Sequence, residues 1–200
     1  MTYQNKKIGI LGGSFDPIHN GHLSIAQSAY TDFSLDEVWL IPAGHSPNKD
    51  ENKMTSAIVR GEMTELAVQD VPYFKVSNYE IEKEGTSYTY LTLCDFKEQY
   101  PETTFYFIMG ADSLDYFDKW KNPQIISSLC KILVVNRDDF TQEDLQQKIA
   151  KINAQFPSDI GIVHCPKMDV SSTEIRQNLE LKYVPQNVKQ YIQENRLYTC

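Results

Sequence analysis

Residues 8–23 read Ile-Gly-Ile-Leu-Gly-Gly-Ser-Phe-Asp-Pro-Ile-His-Asn-Gly-His-Leu. Two imidazoles, His19 and His22, stand about one helical turn apart, soon after the Gly12-Gly13-Ser14 loop. Ring N–H groups donate hydrogen bonds to anionic oxygens, and side chains at i and i+3 share a helix face. A glycine loop lets backbone N–H groups come close to a phosphate, and a helix N-terminus favours negative charge. The chemistry these residues suit is the binding and polarisation of a nucleotide phosphate, with both histidines at a polar helix start. The alternatives are a structural glycine turn and a zinc pair, for which only Asp16 is near as a third ligand. Gly21 is followed by His22, so there is no G-x-x-x-x-G-K-[ST] loop. There is no G-x-G-x-x-G either, and the second apolar run ends in Ile41-Pro42-Ala43 with no acid for a ribose hydroxyl.

Positioning such a pair takes a strand before the glycines and a helix after them, and that alternation continues along the chain. Strands are expected at Ile8–Leu11, Val38–Ile41, Phe74–Val76, Phe105–Met109, Ile132–Val135 and Ile160–Val163. Helices are expected at Gly21–Phe33, Thr55–Gln69, Tyr88–Tyr100, Thr141–Phe156, Ser172–Leu179 and Asn187–Glu194. Thr141 and Asp144 form the pattern of a capping box. Continuous apolar strands separated by helices predict a parallel sheet covered on both faces. The expected fold is therefore α/β, a doubly wound, Rossmann-like parallel-sheet sandwich. It forms one domain over residues 1–200, with a C-terminal helical part at 171–200. Ligands of such sheets lie at the C-terminal ends of the strands. This rim would hold Gly12–Ser14, Pro42–Lys49, Gly110–Asp112 and Arg137. The polar segment Gly44–Lys53 reads as a flap over it.

Composition narrows the function classes. The length of 200 residues suits a single domain with a sizeable core, and the hydrophobic content of 41% is ordinary for a globular chain. A formal charge of −8 argues against a nucleic-acid surface. It leaves anionic small ligands open, because local cations and backbone dipoles govern a pocket. The four cysteines, Cys94, Cys130, Cys165 and Cys200, are too far apart for a zinc ribbon or redox pair. They read as thiols of a cytoplasmic protein. No apolar run reaches membrane-spanning length, so no membrane partner is expected. A homo-oligomer remains open.

Further along, Ser171-Ser172-Thr173-Glu174-Ile175-Arg176 offers a Ser cap, a hydroxyl in the first helical turn and a guanidinium one turn on. That set suits a triphosphate, and equally an ordinary capped helix. Gly110-Ala111-Asp112 turns off a strongly apolar strand and leaves Asp112 either as a site acid or as a cap. Trp120 is a stacking platform or core. Ser87, Tyr88 and Thr89 open a helix whose amides could hold a carboxylate, or whose hydroxyls could simply cap it. Lys49 is a loop lysine, Arg137 follows a strand at the rim, and His45 and His164 receive no role.

The string Gly12–His22, with His-x-Gly-His at its end, resembles the nucleotidyltransferase superfamily, and within it the bacterial nicotinate-nucleotide adenylyltransferases. The Val170–Arg176 segment resembles the superfamily's I-S-S-T-x-x-R motif. The likeness runs from about Ile8 to Tyr198. It departs where Ser46-Pro47-Asn48-Lys49 stands for the family's P-P-H-K, with Asn48 replacing His. The resemblance implies adenylyl transfer from ATP to nicotinate mononucleotide, giving deamido-NAD and pyrophosphate. It implies catalytic roles for His19, His22 and Arg176. ATP would be bound by Gly12, Gly13, Ser14, Phe15, His19, His22, Gly110, Asp112, Ser172, Thr173 and Arg176. Nicotinate mononucleotide would meet Ser14, Lys49, Tyr88, Thr89 and Trp120. Mg2+ would travel on the ATP phosphates, with no protein metal site. The rival readings are a pantetheine-phosphate adenylyltransferase, a cytidylyltransferase, or a non-catalytic nucleotide sensor.

Overall fold

The protein is described by a computed structural model, covering residues 3–46, 54–136 and 140–199. Strands and helices alternate as β1 (Lys7–Gly13), α1 (Asn20–Asp32), β2 (Glu37–Pro42), α2 (Ala57–Val68), β3 (Phe74–Val76), α3 (Tyr79–Glu82) and α4 (Thr89–Gln99). They continue as β4 (Thr104–Gly110), α5 (Pro123–Leu129), β5 (Lys131–Asn136), α6 (Gln142–Gln155), β6 (Ile160–His164), α7 (Ser172–Asn178) and α8 (Gln186–Glu194). The strands form one six-stranded parallel sheet in the order β3-β2-β1-β4-β5-β6. The α/β expectation is met. In the central ladder Ile8 faces Phe105 and Ile10 faces Phe107, while Gly110 pairs with Val135 at the far end of β4. Every residue of β2 is buried, the signature of a strand covered on both faces.

The chain divides into two compact units. The first comprises Met1–Leu11, Ile25–Val38 and Tyr88–Lys167. Its core gathers Ile8, Ile10, Phe105, Ile108, Leu133, Val134 and Val163. The second comprises Gly12–Ser24, Trp39–Ser87 and Met168–Cys200. Its core gathers Phe15, Ile18, Leu40, Ile41, Met63, Ile175, Val188 and Ile192.

Each expected element is present, with ends shifted by a residue or two. The Thr141–Asp144 capping box forms in both directions. The short α3 and α5, and the 3-10 turns at Ala111–Asp115, Phe117–Lys119 and Leu181–Tyr183, were not expected. Segments of this length are too brief for a helical period to show. For α5 the local cue was Pro123, which occupies the first turn, where its missing N–H costs nothing. No helix among the described residues is long and apolar enough to cross a membrane. Cys94, Cys130 and Cys165 are thiols rather than disulfide partners.

Candidate active site

The second unit carries the residues expected from the sequence to bind phosphate. At Gly13 an added Cβ would stand 2.7 Å from the Phe15 ring, so only glycine lets that ring close under the loop. At Gly12 an added Cβ meets nothing within 4 Å, which leaves that stretch of backbone approachable. Phe15 is buried with a left-handed φ of 49° and turns the chain towards α1. Its ring meets His22 edge-on at 5.0 Å.

His19 and His22 lie stacked, with ring centroids 3.8 Å apart and planes 24° from parallel. The His19 backbone N–H donates to His22 Nδ1 at 3.3 Å. With Nδ1 accepting, a neutral His22 ring carries its proton on Nε2, which is then a donor. His19 precedes α1, and its carbonyl accepts the N–H groups of His22 (2.9 Å) and Leu23 (3.3 Å). The two histidines differ in one respect from expectation. His19 is only 6% exposed, whereas His22 is half-buried. The ring of His19 and the side chain of Val170 both crowd Gly21, so His19 belongs to the packing as well as to the polar helix start.

Asp16 is the hub behind this pair. It is 1% exposed. Its Oδ1 accepts the Tyr198 hydroxyl at 2.7 Å, and its Oδ2 accepts the Thr55 N–H at 3.3 Å. Its carbonyl accepts Arg176 Nη1 at 2.6 Å, and that nitrogen lies 3.9 Å from Oδ2. Burial and the neighbouring Asp16 carboxylate hold the Tyr198 phenol above its ordinary range, so its hydroxyl stays a donor. Arg176 Nη2 donates to Thr173 Oγ1 at 3.4 Å. Ser171, not Ser172, caps α7, accepting the Glu174 N–H at 3.2 Å. Ser172 Oγ donates instead to the Pro17 carbonyl at 2.9 Å. Arg176 is thus tied to the Asp16–Pro17 turn from which the histidine segment departs.

Arg60 was not foreseen. It is 2% exposed. Its Nε donates to the Thr55 carbonyl at 3.0 Å, and Nη1 to the Ser14 carbonyl at 2.5 Å. Nη2 donates to the carbonyls of Ala43 at 2.6 Å and Gly44 at 3.2 Å. One guanidinium therefore holds the exits of β1 and β2 and the segment before α2. The sequence held one cue, an arginine within a stretch of α2 that also buries Gly61, Met63, Thr64 and Val68.

The first unit carries the remaining candidates. Gly110 ends β4, and Asp112 is exposed within the 3-10 turn Ala111–Asp115. Asp112 is therefore not the cap of a following helix. Trp120 is half-buried, edge-on to Phe107 at 5.9 Å and tilted on Phe117 at 5.6 Å. Tyr88 occupies the N-cap position of α4 without a side-chain cap, and Thr89 begins the helix. Back in the second unit, the Ser87 hydroxyl does not cap α4. It accepts the Gly44 N–H at 3.1 Å, and the Ser87 N–H donates to the His45 carbonyl at 2.8 Å. His164 is exposed at the end of β6, its backbone N–H on Asp32. Lys49 and Arg137 lie outside the described residues.

Residues 10–178 match the family described as cytidylyltransferase-like. Fold and site thus define a nucleotidyltransferase-type domain. A "Probable nicotinate-nucleotide adenylyltransferase" of Clostridium novyi (strain NT) is 39% identical over 198 residues, covering 96% of this chain and 99% of that protein. One of the same name from Clostridium botulinum (strain Hall) is 40% identical over 195 residues, covering 94% and 97%. The chain belongs to the nicotinate-nucleotide adenylyltransferase family. Its fold matches a solved structure of Plasmodium falciparum nicotinic acid mononucleotide adenylyltransferase complexed with NaAD, with a TM-score of 0.76 and 24% identity, covering 96% of this chain and 97% of that one.

Proposed function

We propose that this protein transfers the adenylyl group of ATP to nicotinate mononucleotide, forming deamido-NAD and pyrophosphate. The phosphate of nicotinate mononucleotide attacks the α-phosphorus of ATP. A new P–O bond forms as the bond to the β-phosphate oxygen breaks, and pyrophosphate leaves with that electron pair. The nucleophile comes from the substrate, so the protein's part is positioning and charge stabilisation.

The observation that carries this reading is the stacked His19–His22 pair. The backbone bond to Nδ1 leaves Nε2 of a neutral His22 as the ring's donor, and the backbone of Gly12 is open. In this reading His19, His22 and the Gly12–Phe15 loop meet the α-phosphate. Arg176, Thr173 and the Ser172 backbone N–H take the β- and γ-phosphates, since the Ser172 hydroxyl already serves Pro17. Gly110 and Asp112 receive the ribose. Trp120 stacks on the nicotinate ring, the amides of Tyr88 and Thr89 hold its carboxylate, and Ser14 and Lys49 complete the acceptor's contacts. Magnesium enters as the counter-ion of ATP. Such an ion keeps most of its waters and rides on the phosphates. The reaction takes place in the cytoplasm.

The test is pyrophosphate release from Mg-ATP with each acceptor. Turnover is expected with nicotinate mononucleotide and little with phosphopantetheine or choline phosphate. Equal or greater turnover of phosphopantetheine overturns the assignment, and no turnover with any acceptor favours a nucleotide sensor.

A further inference from the structure

We infer that Arg60 is a positioning residue for the acceptor nucleotide, a role that rests on the function proposed above. It touches no reacting atom. Its reach is what matters: one planar fork bonds the carbonyl of Ser14 on one side and those of Ala43 and Gly44 on the other, while Nε holds Thr55. These carbonyls belong to segments distant in sequence, and the fork fixes the spacing between them.

That spacing governs a second layer. Gly44 is pressed so closely on α3 that a Cβ there would stand 2.0 Å from the Glu80 carbonyl oxygen. Its N–H is bonded to the Ser87 hydroxyl, and His45 pairs with Thr86. The β2 exit is therefore clamped between Arg60 on one side and residues 80–87 on the other. Ser87 leads directly into Tyr88 and Thr89. Ser14, Tyr88 and Thr89 are among the positions proposed for nicotinate mononucleotide, Ser14 being shared with ATP. Arg60 thus sets the distance from the glycine loop to Gly44 and, through Gly44, to Ser87, the residue before Tyr88. His22 and Arg176 are tied through the His19 backbone and the Asp16 carbonyl, and Thr55 is the link between Asp16 and Arg60.

Charge alone does not explain the arrangement. A lysine at position 60 would keep the cation but present one point donor group where the fork serves several carbonyls at fixed angles. Deleting the fork takes the donor from part-buried carbonyls and frees the β2 exit to drift. Small misplacements of a bound reactant cost rate and affinity together.

The experiment is steady-state kinetics of Arg60→Lys and Ser87→Ala beside the unaltered protein, with thermal unfolding of each. Ser87→Ala loosens the same clamp from the Gly44 N–H side and keeps the test alive should Arg60→Lys fail to fold. The expected result is a KM for nicotinate mononucleotide raised about 10-fold in Arg60→Lys and about 3-fold in Ser87→Ala. The KM for ATP should stay within about 2-fold in both. Changes limited to thermal midpoint and active fraction, with both KM values unchanged, make Arg60 merely structural and overturn the proposal. An equal rise for both substrates overturns its acceptor selectivity. Failure of the unaltered protein to use nicotinate mononucleotide sinks the functional reading itself, and is separable because it appears before any substitution is made.

Discussion

The residues proposed to meet the phosphates and those proposed to meet the nicotinate ring are held in place by different physics. Around Asp16, each polar side chain is fixed by charged or backbone hydrogen bonds. Arg176 is tied to the Asp16 carbonyl, Tyr198 and Thr55 to the Asp16 carboxylate, and His22 to the His19 N–H. Around Trp120 the partners are aromatic faces, Phe107 and Phe117, and the nearby acid Asp112 is exposed. Hydrogen-bonded dipoles fixed in advance stabilise charge that develops during reaction. Apolar faces bind a flat ring with little regard to the charge forming elsewhere. The difference teaches a division of labour: changes in the first region should appear in kcat, changes in the second in the acceptor's KM.

The largest expected effect is in the first region. His22→Ala should lower kcat roughly 100-fold or more, the scale for losing one donor aimed at developing charge, with little change in thermal midpoint. His19→Ala should lose activity similarly and also melt a few degrees earlier, because His19 is 6% exposed and packed against the Gly21 turn. About 1 kcal/mol shifts the midpoint of a chain this size by about 2–4 °C. Steady-state kinetics paired with calorimetric melting reads both quantities. Near-normal kcat in His22→Ala would break the comparison outright.

Arg176→Lys comes next. Lysine retains charge without the fork that reaches the Asp16 carbonyl and, in the proposed function, follows the departing pyrophosphate. A fall in kcat of about 10-fold is expected, with ATP affinity by titration calorimetry nearly unchanged, because the lost contact strengthens as the bond breaks. A KM for ATP that rises while kcat holds would make Arg176 a ground-state anchor instead.

In the second region, Trp120→Ala should raise the KM for nicotinate mononucleotide about 5- to 10-fold, the scale of one lost stacking contact. Trp120→Phe should restore most of it and kcat should barely move. A kcat defect as large as that of Arg176→Lys would erase the distinction between the regions.

The smallest effect is on stability at alkaline pH. Burial pushes the Cys130 thiol up to about 12, from an ordinary value of 9.0. The hydrogen bond to Glu62 pushes Tyr191 up to about 12 from 10.0. Both groups lose their protons more readily when unfolded. Their contribution is therefore fully present below about pH 9 and lost as pH climbs towards 12. Denaturant midpoints should fall between pH 9 and 11, and Cys130→Ala should flatten the slope. An unchanged slope in that variant would place the thiol in contact with water.

What sequence could and could not reveal follows the same physics. The alternating strands and helices are local patterns that the structure reproduces, and the glycine loop, His19, His22 and Arg176 are local patterns whose residue types suggest a role. Arg60 does not, because its partners are backbone carbonyls of three distant segments, and a carbonyl has no residue type. Asp16 looked like a stray metal ligand because the Tyr198 and Thr55 donors that explain it lie far along the chain. For Ser87 the sequence left a helix cap open as one alternative, and only the approach of Gly44 shows where its hydroxyl goes. His19 read as a polar helix-start residue because burial is a property of the packed turn and not of the motif.

The central claim is that the phosphate region works by positioning, with the acceptor's own phosphate as nucleophile and no adenylylated protein on the way. The most direct measurement is the stereochemical course at the α-phosphorus, using ATP made chiral there by a single sulfur. One in-line displacement inverts that centre. Inversion in the deamido-NAD analogue is the predicted result. Net retention would require two displacements through a covalent adenylyl-protein, and would contradict the account.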